Sequence, residues 1–181
     1  MKKLRFFNMV CVLAMAISSI TGCDKNKNGN GNNDGNGWSG GGCGSVAGYV
    51  DMGLPSGTKW KSTNETGGYN GFYTYDEAVS AFGDKLPTKE QLEELKVYCT
   101  WEWQVNGGYK VTGQNGNSIV LPAAGFRDCN GDVYVVGFCG YYWSSTPYGS
   151  DYAWFLCFNS DKVDMSDYSR CEGQSVRLVQ D

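Results

Sequence analysis

The side chains able to carry chemistry in this chain are eight cysteines, twelve tyrosines and a scatter of carboxylates, and no histidine occurs in 181 residues. Without imidazole there is no Ser-His-Asp or Cys-His relay, no His-ligated zinc and no histidine pH switch. The absence of any Cys-x-x-Cys argues against zinc and thioredoxin-like exchange. Paired carboxylates such as Glu93-Glu94 read as a solvated helix surface. The run Asp128-Cys129-Asn130-Gly131-Asp132 offers oxygen ligands but lacks the twelve-residue EF-hand arrangement, so a plain turn is expected. The expectation is therefore no catalytic residue, no metal and no cofactor. A net charge of −4 with a pI near 4.8 argues against a nucleic-acid partner.

One cysteine has a chemistry of its own. Met1-Lys2-Lys3-Leu4-Arg5 is a positive leader, and the apolar stretch from Phe6 to Ile20 follows it. As a helix that stretch would reach ~22 Å, short of the ~30 Å hydrocarbon core. It reads as a secretory signal over 1–22 rather than a membrane span. The end of the signal, Ser19-Ile20-Thr21-Gly22-Cys23, resembles the lipobox of bacterial lipoproteins. That resemblance implies a diacylated Cys23 and a protein held in the bacterial envelope, on the outer membrane and at the cell surface. Several acyl chains on one cysteine anchor stably, where a single chain is marginal. Cleavage removes three positive charges and takes the net charge from −4 to about −7. The anchor is thus lipid and not a basic patch.

Residues 23–44 form the expected tether. Of the 21 residues after Cys23, fourteen are Gly or Asn, and Trp38 is the one large apolar side chain. Such a segment cannot bury enough surface to offset its ordering entropy, and a flexible chain of this length spans roughly 25 Å. Function is sought in residues 45–181.

The elements that must position the remaining residues are readable in outline. A strand is expected over Val46–Val50, leading into the turn-rich Met52–Trp60. Thr74 or Tyr75 can start a helix with Ala78, Val79 and Phe82 on its apolar face and Gly83 as its stop. Thr88, with Gln91 three residues on, caps a second helix whose apolar face is Leu92, Leu95 and Val97-Tyr98, ending near Cys99. Strands are expected at Tyr109–Thr112, Ser118–Pro122, Val133–Val136, Ala153–Phe158, Lys162–Ser166 and Ser175–Val179. Helices early and short strands late give an α+β class. Alternation should send Trp154, Leu156 and Phe158 inward with Val163 and Met165, leaving Phe155, Cys157, Asp164 and Ser166 outward. An exported protein permits disulfides, and six cysteines besides Cys11 and Cys23 allow 15 pairings. Cys129 and Cys139 bracket a Gly-containing loop and are the expected pair. Cys99 is as readily a buried free thiol.

Several runs carry a family resemblance: Tyr49–Trp60, Leu86–Gln91, Cys99–Trp103, Gly116–Arg127, Gly140–Thr146 and Gly173–Val179. Together they resemble the Fibrobacter succinogenes major paralogous domain of secreted Bacteroidetes proteins. The resemblance implies a C-type lectin-like fold with two short helices and a loop-rich antiparallel sheet. The last forty residues, about 141–179, further resemble the variable region of target proteins of diversity-generating retroelements. In those systems mutagenic reverse transcription randomises adenines, chiefly in Asn codons, and never yields Lys, Glu, Gln, Met or Trp. Tyr148, Asp151, Tyr152, Phe155, Cys157, Asp161, Asp164, Ser166, Asp167, Tyr168, Ser169 and Cys171 are all reachable from an Asn codon. Trp154, Met165 and Gln174 are not, and they fall at inward or framework places. Glu172 is also unreachable, and so is either fixed or a mark against the idea.

The resemblance thus implies a binding protein whose twelve named residues form a ligand face, with tyrosine supplying area and a hydroxyl at low entropic cost. The ligand would be a protein or glycan on another cell or phage. Other readings are an invariant structural or adhesive envelope lipoprotein and a calcium-dependent carbohydrate-binding module. The Glu-Pro-Asn, Gln-Pro-Asp and Trp-Asn-Asp signatures of that sugar site are absent. Formylglycine-generating enzymes share the broader fold, but the chain has no closely spaced cysteine pair of their kind.

Overall fold

A computed structural model describes residues 48–181. The signal segment, Cys23, the Gly/Asn-rich tether, Cys43 and the expected strand's first residues lie outside them.

The described chain begins with two short strands, β1 (Tyr49–Asp51) and β2 (Lys59–Lys61), paired antiparallel. The expected helices follow: α1 (Tyr75–Phe82) and α2 (Lys89–Tyr98). Each starts at a reciprocal capping box, Thr74 with Glu77 and Thr88 with Gln91, which satisfies amide groups that have no partner within a helix. The second helix buries Leu92 and Leu95, whereas Val97 and Tyr98 are exposed. Those two therefore do not belong to the apolar face. Val97 falls on the side of α2 away from Leu92 and Leu95, whereas Tyr98, one turn beyond Leu95, is the last residue of the helix.

The rest is strand and loop. β3 (Thr100–Trp103), β4 (Gly108–Thr112) and β5 (Ser118–Pro122) form an antiparallel meander. β6 (Phe126–Arg127) and β7 (Val133–Tyr134) form a two-stranded hairpin. The longest strands are β8 (Gly140–Tyr148), β9 (Tyr152–Phe158) and β10 (Val163–Ser169), joined as an antiparallel sheet with β9 central. The expected strand at Ser175–Val179 is instead the last of three single bridges (Gly173, Gln174 and Ser175), an irregular stretch over 176–178, and β11 (Val179–Gln180), which pairs with β2 and closes the first sheet. The described chain is α+β, with two α-helices and small antiparallel sheets.

Apolar cores lie on both faces of β9. Leu156 and Phe158 join Trp60, Leu95, Val111, Leu121 and Tyr142 on one side. Ala153 and Phe155 join Tyr75, Ala78, Trp143, Val176 and Leu178 on the other. Phe155 is only 4% exposed, so the expected outward placement of this residue is wrong. Alternation is present, but a central strand covered on both sides has no outward face. Conversely, Trp154 is half-buried, with the Lys89 ammonium 4.0 Å from its ring centre.

The register of β8 breaks between Trp143 and Pro147. The displaced residues dock the helices. The Ser145 amide donates to the Pro87 carbonyl at 2.7 Å, and the Lys89 amide donates to the Thr146 hydroxyl at 2.9 Å. The Tyr75 hydroxyl donates to the Ser145 carbonyl at 2.7 Å. The bulge thus converts a strand into the seat of both helix ends.

Candidate functional site

The three-stranded sheet and the β6–β7 hairpin meet in an aromatic surface. Register places Tyr141 opposite Cys157, Asp164 opposite Cys157, Ser166 opposite Phe155, and Tyr168 opposite Ala153. Since directly paired residues share a face, Tyr141, Cys157, Asp164, Ser166, Phe155 and Tyr168 lie on one side of the sheet. Phe126 of β6 packs onto this side, with ring centres 5.1 Å from Tyr141 and 6.2 Å from Tyr168. Tyr134 of β7 stacks on Phe126 at 5.6 Å. Phe155 lies beneath, 5.8 Å from Tyr141 and 6.2 Å from Tyr168. The result is a buried floor under rings that reach solvent, with Tyr168 45% exposed.

A disulfide fixes this junction. Cys129, in the hairpin, is bonded to Cys171, just beyond β10, with Cα atoms 5.2 Å apart. The expected Cys129–Cys139 pair is therefore not formed. Cys139 is buried at the start of β8, and its amide donates to the Val135 carbonyl at 3.1 Å. Proximity along the chain misled here because the hairpin that carries Cys129 pairs through Arg127 with Gly173, beside Cys171, whereas Cys139 lies beyond the hairpin. Cys171 is thus a structural tie, which removes it from the display set. Glu172 follows it into the interior and is 9% exposed. Burial, with help from the Asp128 charge, raises its carboxyl above the ordinary range although Arg127 opposes the shift. It is a framework residue.

The expected ligand face therefore divides. Cys157, Ser166 and Tyr168 lie on the aromatic surface with Phe155 as its floor. Asp164 is half-buried at the sheet edge, where Lys162 approaches at 2.7 Å and Lys96 at 3.0 Å. Hydrogen bonding from Lys162 and then Lys96 lowers its carboxyl to about 2. Tyr148, Asp151 and Tyr152 are exposed at the β8–β9 turn, where the Arg170 guanidinium donates to the Tyr152 and Gly149 carbonyls. Asp167 is opposite Trp154 and so faces the other side of the sheet. Ser169 pairs with Tyr152, and its hydroxyl oxygen is 3.3 Å from the Cys171 sulfur. Asp161 is exposed in the β9–β10 turn, at the opposite end of the sheet from Tyr148. A seven-residue strand separates those ends by about 23 Å, so a contact covering both must be large.

The Cys157 thiol is half-buried, and burial followed by the neighbouring Asp164 raises it to about 11. A thiol held protonated is a poor nucleophile. The Asp128–Asp132 run forms the expected turn. The Asp128 carboxylate accepts the Asn130 and Asp132 amides, each at 2.9 Å. The chief residues missed by sequence reading are Phe126, Tyr134 and Tyr141. Their signal was an aromatic at a strand position, which does not distinguish a surface from a core.

A family model described as Domain of unknown function (DUF8237) matches residues 100–179. The matched stretch runs from β3 into β11 and includes the sheet, the hairpin and the disulfide. No curated protein matches the chain. No solved structure matches it either. Among the described residues no helix is long and apolar enough to cross a membrane.

Proposed function

We propose that this protein is a surface-displayed lipoprotein that binds a protein or glycan through the C-terminal face of a C-type lectin-like domain. In this reading it is the variable target of a diversity-generating retroelement and breaks no bond. The observation that carries the reading is the aromatic surface on β8–β10. Its half-exposed tyrosine and serine stand on β10, an edge strand paired along its length with the doubly packed β9, so side chains there can change while β9 holds the frame. Rigid aromatic side chains bind at low ordering cost. Two helices followed by strands and loops, with the first and last strands closing one sheet, suit the lectin-like frame. Gln174, unreachable from an Asn codon, is 1% exposed, and Trp154 and Met165 are half-buried. They fall where variation would be costly.

The test is genetic. The flanking DNA should contain a near-copy of the segment encoding residues 141–179, with adenines at the proposed variable positions, beside a reverse transcriptase gene. An intact locus lacking both would sink the diversification claim. It would leave the alternative of an invariant adhesive lipoprotein. Anchoring is tested separately with Cys23→Ser, which should move the protein from the membrane fraction to the soluble one. Continued membrane fractionation of that variant would refute the lipid anchor.

A further inference from the structure

The loop after the β6–β7 hairpin is the most exposed apolar segment beside the aromatic surface. Val133, Tyr134, Val136 and Phe138 fall within six residues, and Val136 and Phe138 are 59% and 68% exposed. The segment is nevertheless tightly built. Val135 takes φ 52°, a conformation rare for a β-branched residue. Its carbonyl accepts the amides of Phe138 and Cys139, both at 3.1 Å. The Gly137 amide donates to the Ala123 carbonyl at 2.7 Å, and the Gly125 amide to the Cys139 carbonyl at 2.8 Å. At Gly125, φ 77°, a β-carbon would sit 2.1 Å from the Tyr134 carbonyl oxygen. The loop is thus pinned against the residue 123–125 backbone, and backbone strain is retained to hold its apolar side chains in water. Strain of this kind gathers at ligand clamps.

Charge indicates the occupant. Asp128, Asp132 and Glu172 are the carboxylates that act on the Tyr134 phenol, and the basic side chains between them in sequence, Lys162 and Arg170, are engaged elsewhere. Lys162 is paired with Asp164, and Arg170 donates to backbone carbonyls and lies over the Tyr75 ring at 4.8 Å. Among the described residues neither Asp128 nor Asp132 is paired with a cation. Arg127, the adjacent base, has its guanidinium 5.3 Å from the Tyr69 ring. The Tyr134 phenol feels Asp128 first, with slight desolvation, Asp132 and Glu172 adding to the upward shift. An aromatic ring amid unpaired carboxylates attracts a cation, and the same charges repel an anionic lipid surface.

We infer that this loop is a constant docking surface for a protein partner that presents a lysine or arginine beside an apolar side chain. Residues 133–138 lie outside the proposed variable stretch. The inference rests on the ligand-binding reading in one respect, that loop and sheet grip the same partner. The loop would give affinity common to all ligands, and the β8–β10 face would discriminate among them.

The probe is a synthetic amidated peptide of alternating arginine and tryptophan, titrated calorimetrically into the full-length protein. Its glutamate–tryptophan counterpart and phosphatidylcholine vesicles are run in parallel. The arginine peptide should bind, more weakly as salt rises, and the glutamate peptide should not. Phe138→Ser and Asp132→Asn should each weaken binding at least fivefold without lowering the thermal midpoint, because both side chains are exposed. Equal binding of both peptides, no binding of the arginine peptide, or indifference to both loop variants would overturn the inference. Vesicle binding or self-association abolished by Phe138→Ser would overturn it in favour of a lipid or a second copy. Loss confined to Tyr168→Ala would uphold the sheet face and refute the loop. Loss confined to the loop variants would do the reverse.

Discussion

Phe155 and Tyr168 pack against one another, yet substitution should affect them very differently. Phe155 bridges the aromatic surface and the second core, so Phe155→Ala should cost about 3–5 kcal/mol in denaturant unfolding. Tyr168 is 45% exposed, and Tyr168→Ala should cost about 1 kcal/mol or less. If both substitutions cost the same, the assignment of floor and display residue is wrong. Glu172 gives a pH signature. Its folded-state pKa is raised, chiefly by burial, so the folded protein holds this proton more tightly than the unfolded chain. Stability is then lost as pH rises from the unfolded value, about 4.3, through the folded value. Glu172→Gln should accordingly unfold at a higher temperature than the parent at pH 7, with the gain vanishing below about pH 4. A loss of stability at pH 7 would show that the ionised carboxylate is favourable where it lies.

At the scale of elements, the hairpin and the end of β10 act as one unit because Cys129 and Cys171 join them. In the chain-entropy account a crosslink closing a loop of this length stabilises by about 4 kcal/mol. Removing it with paired Cys129→Ser and Cys171→Ser should lower stability by about 2–4 kcal/mol. Reduction with a thiol should bring the parent to the same midpoint. A midpoint unchanged by reduction would contradict the tie. The helices were legible in the sequence because capping boxes and a Gly stop are local signals. The exposed Tyr98, the single-bridge run at Gly173–Ser175 and the disulfide partner were not. Each depends on which segments, distant along the chain, arrive alongside.

For the whole molecule, the organising group is Arg177, which is 1% exposed. Its guanidinium donates to the Asn64 side chain at 2.8 Å, the Lys61 carbonyl at 2.8 Å and the Val120 carbonyl at 2.6 Å. Asn64 in turn donates to the Tyr142 hydroxyl at 3.1 Å, which donates to the Pro122 carbonyl at 2.8 Å. One side chain near the C-terminus therefore ties together β2, the β5 strand and β8. Burial lowers its affinity for the proton, opposed by Tyr142, and the three acceptors hold the charged fork in place. Arg177→Lys should destabilise by about 2–4 kcal/mol, because an ammonium cannot reproduce the planar fork and leaves buried carbonyls unmet. A neutral result would mean that the carbonyls find water instead.

By itself the sequence determined the α+β class, the positions of both helices, the Thr88 cap of the second and the Gly83 stop of the first, the turn at Asp128–Asp132 and the alternation along β9 and β10. These are properties of nearest neighbours, fixed by backbone capping and by a two-residue period. Which side of that alternation meets solvent was decided by tertiary structure. β9 has a core on each face, so Phe155 is buried where alternation alone would have exposed it. The pairing of Cys129 with Cys171, and the meeting of Phe126, Tyr134, Tyr141 and Tyr168, were settled in the same way. Burial and contact belong to packed segments, and no local pattern encodes which distant segment will supply the other wall.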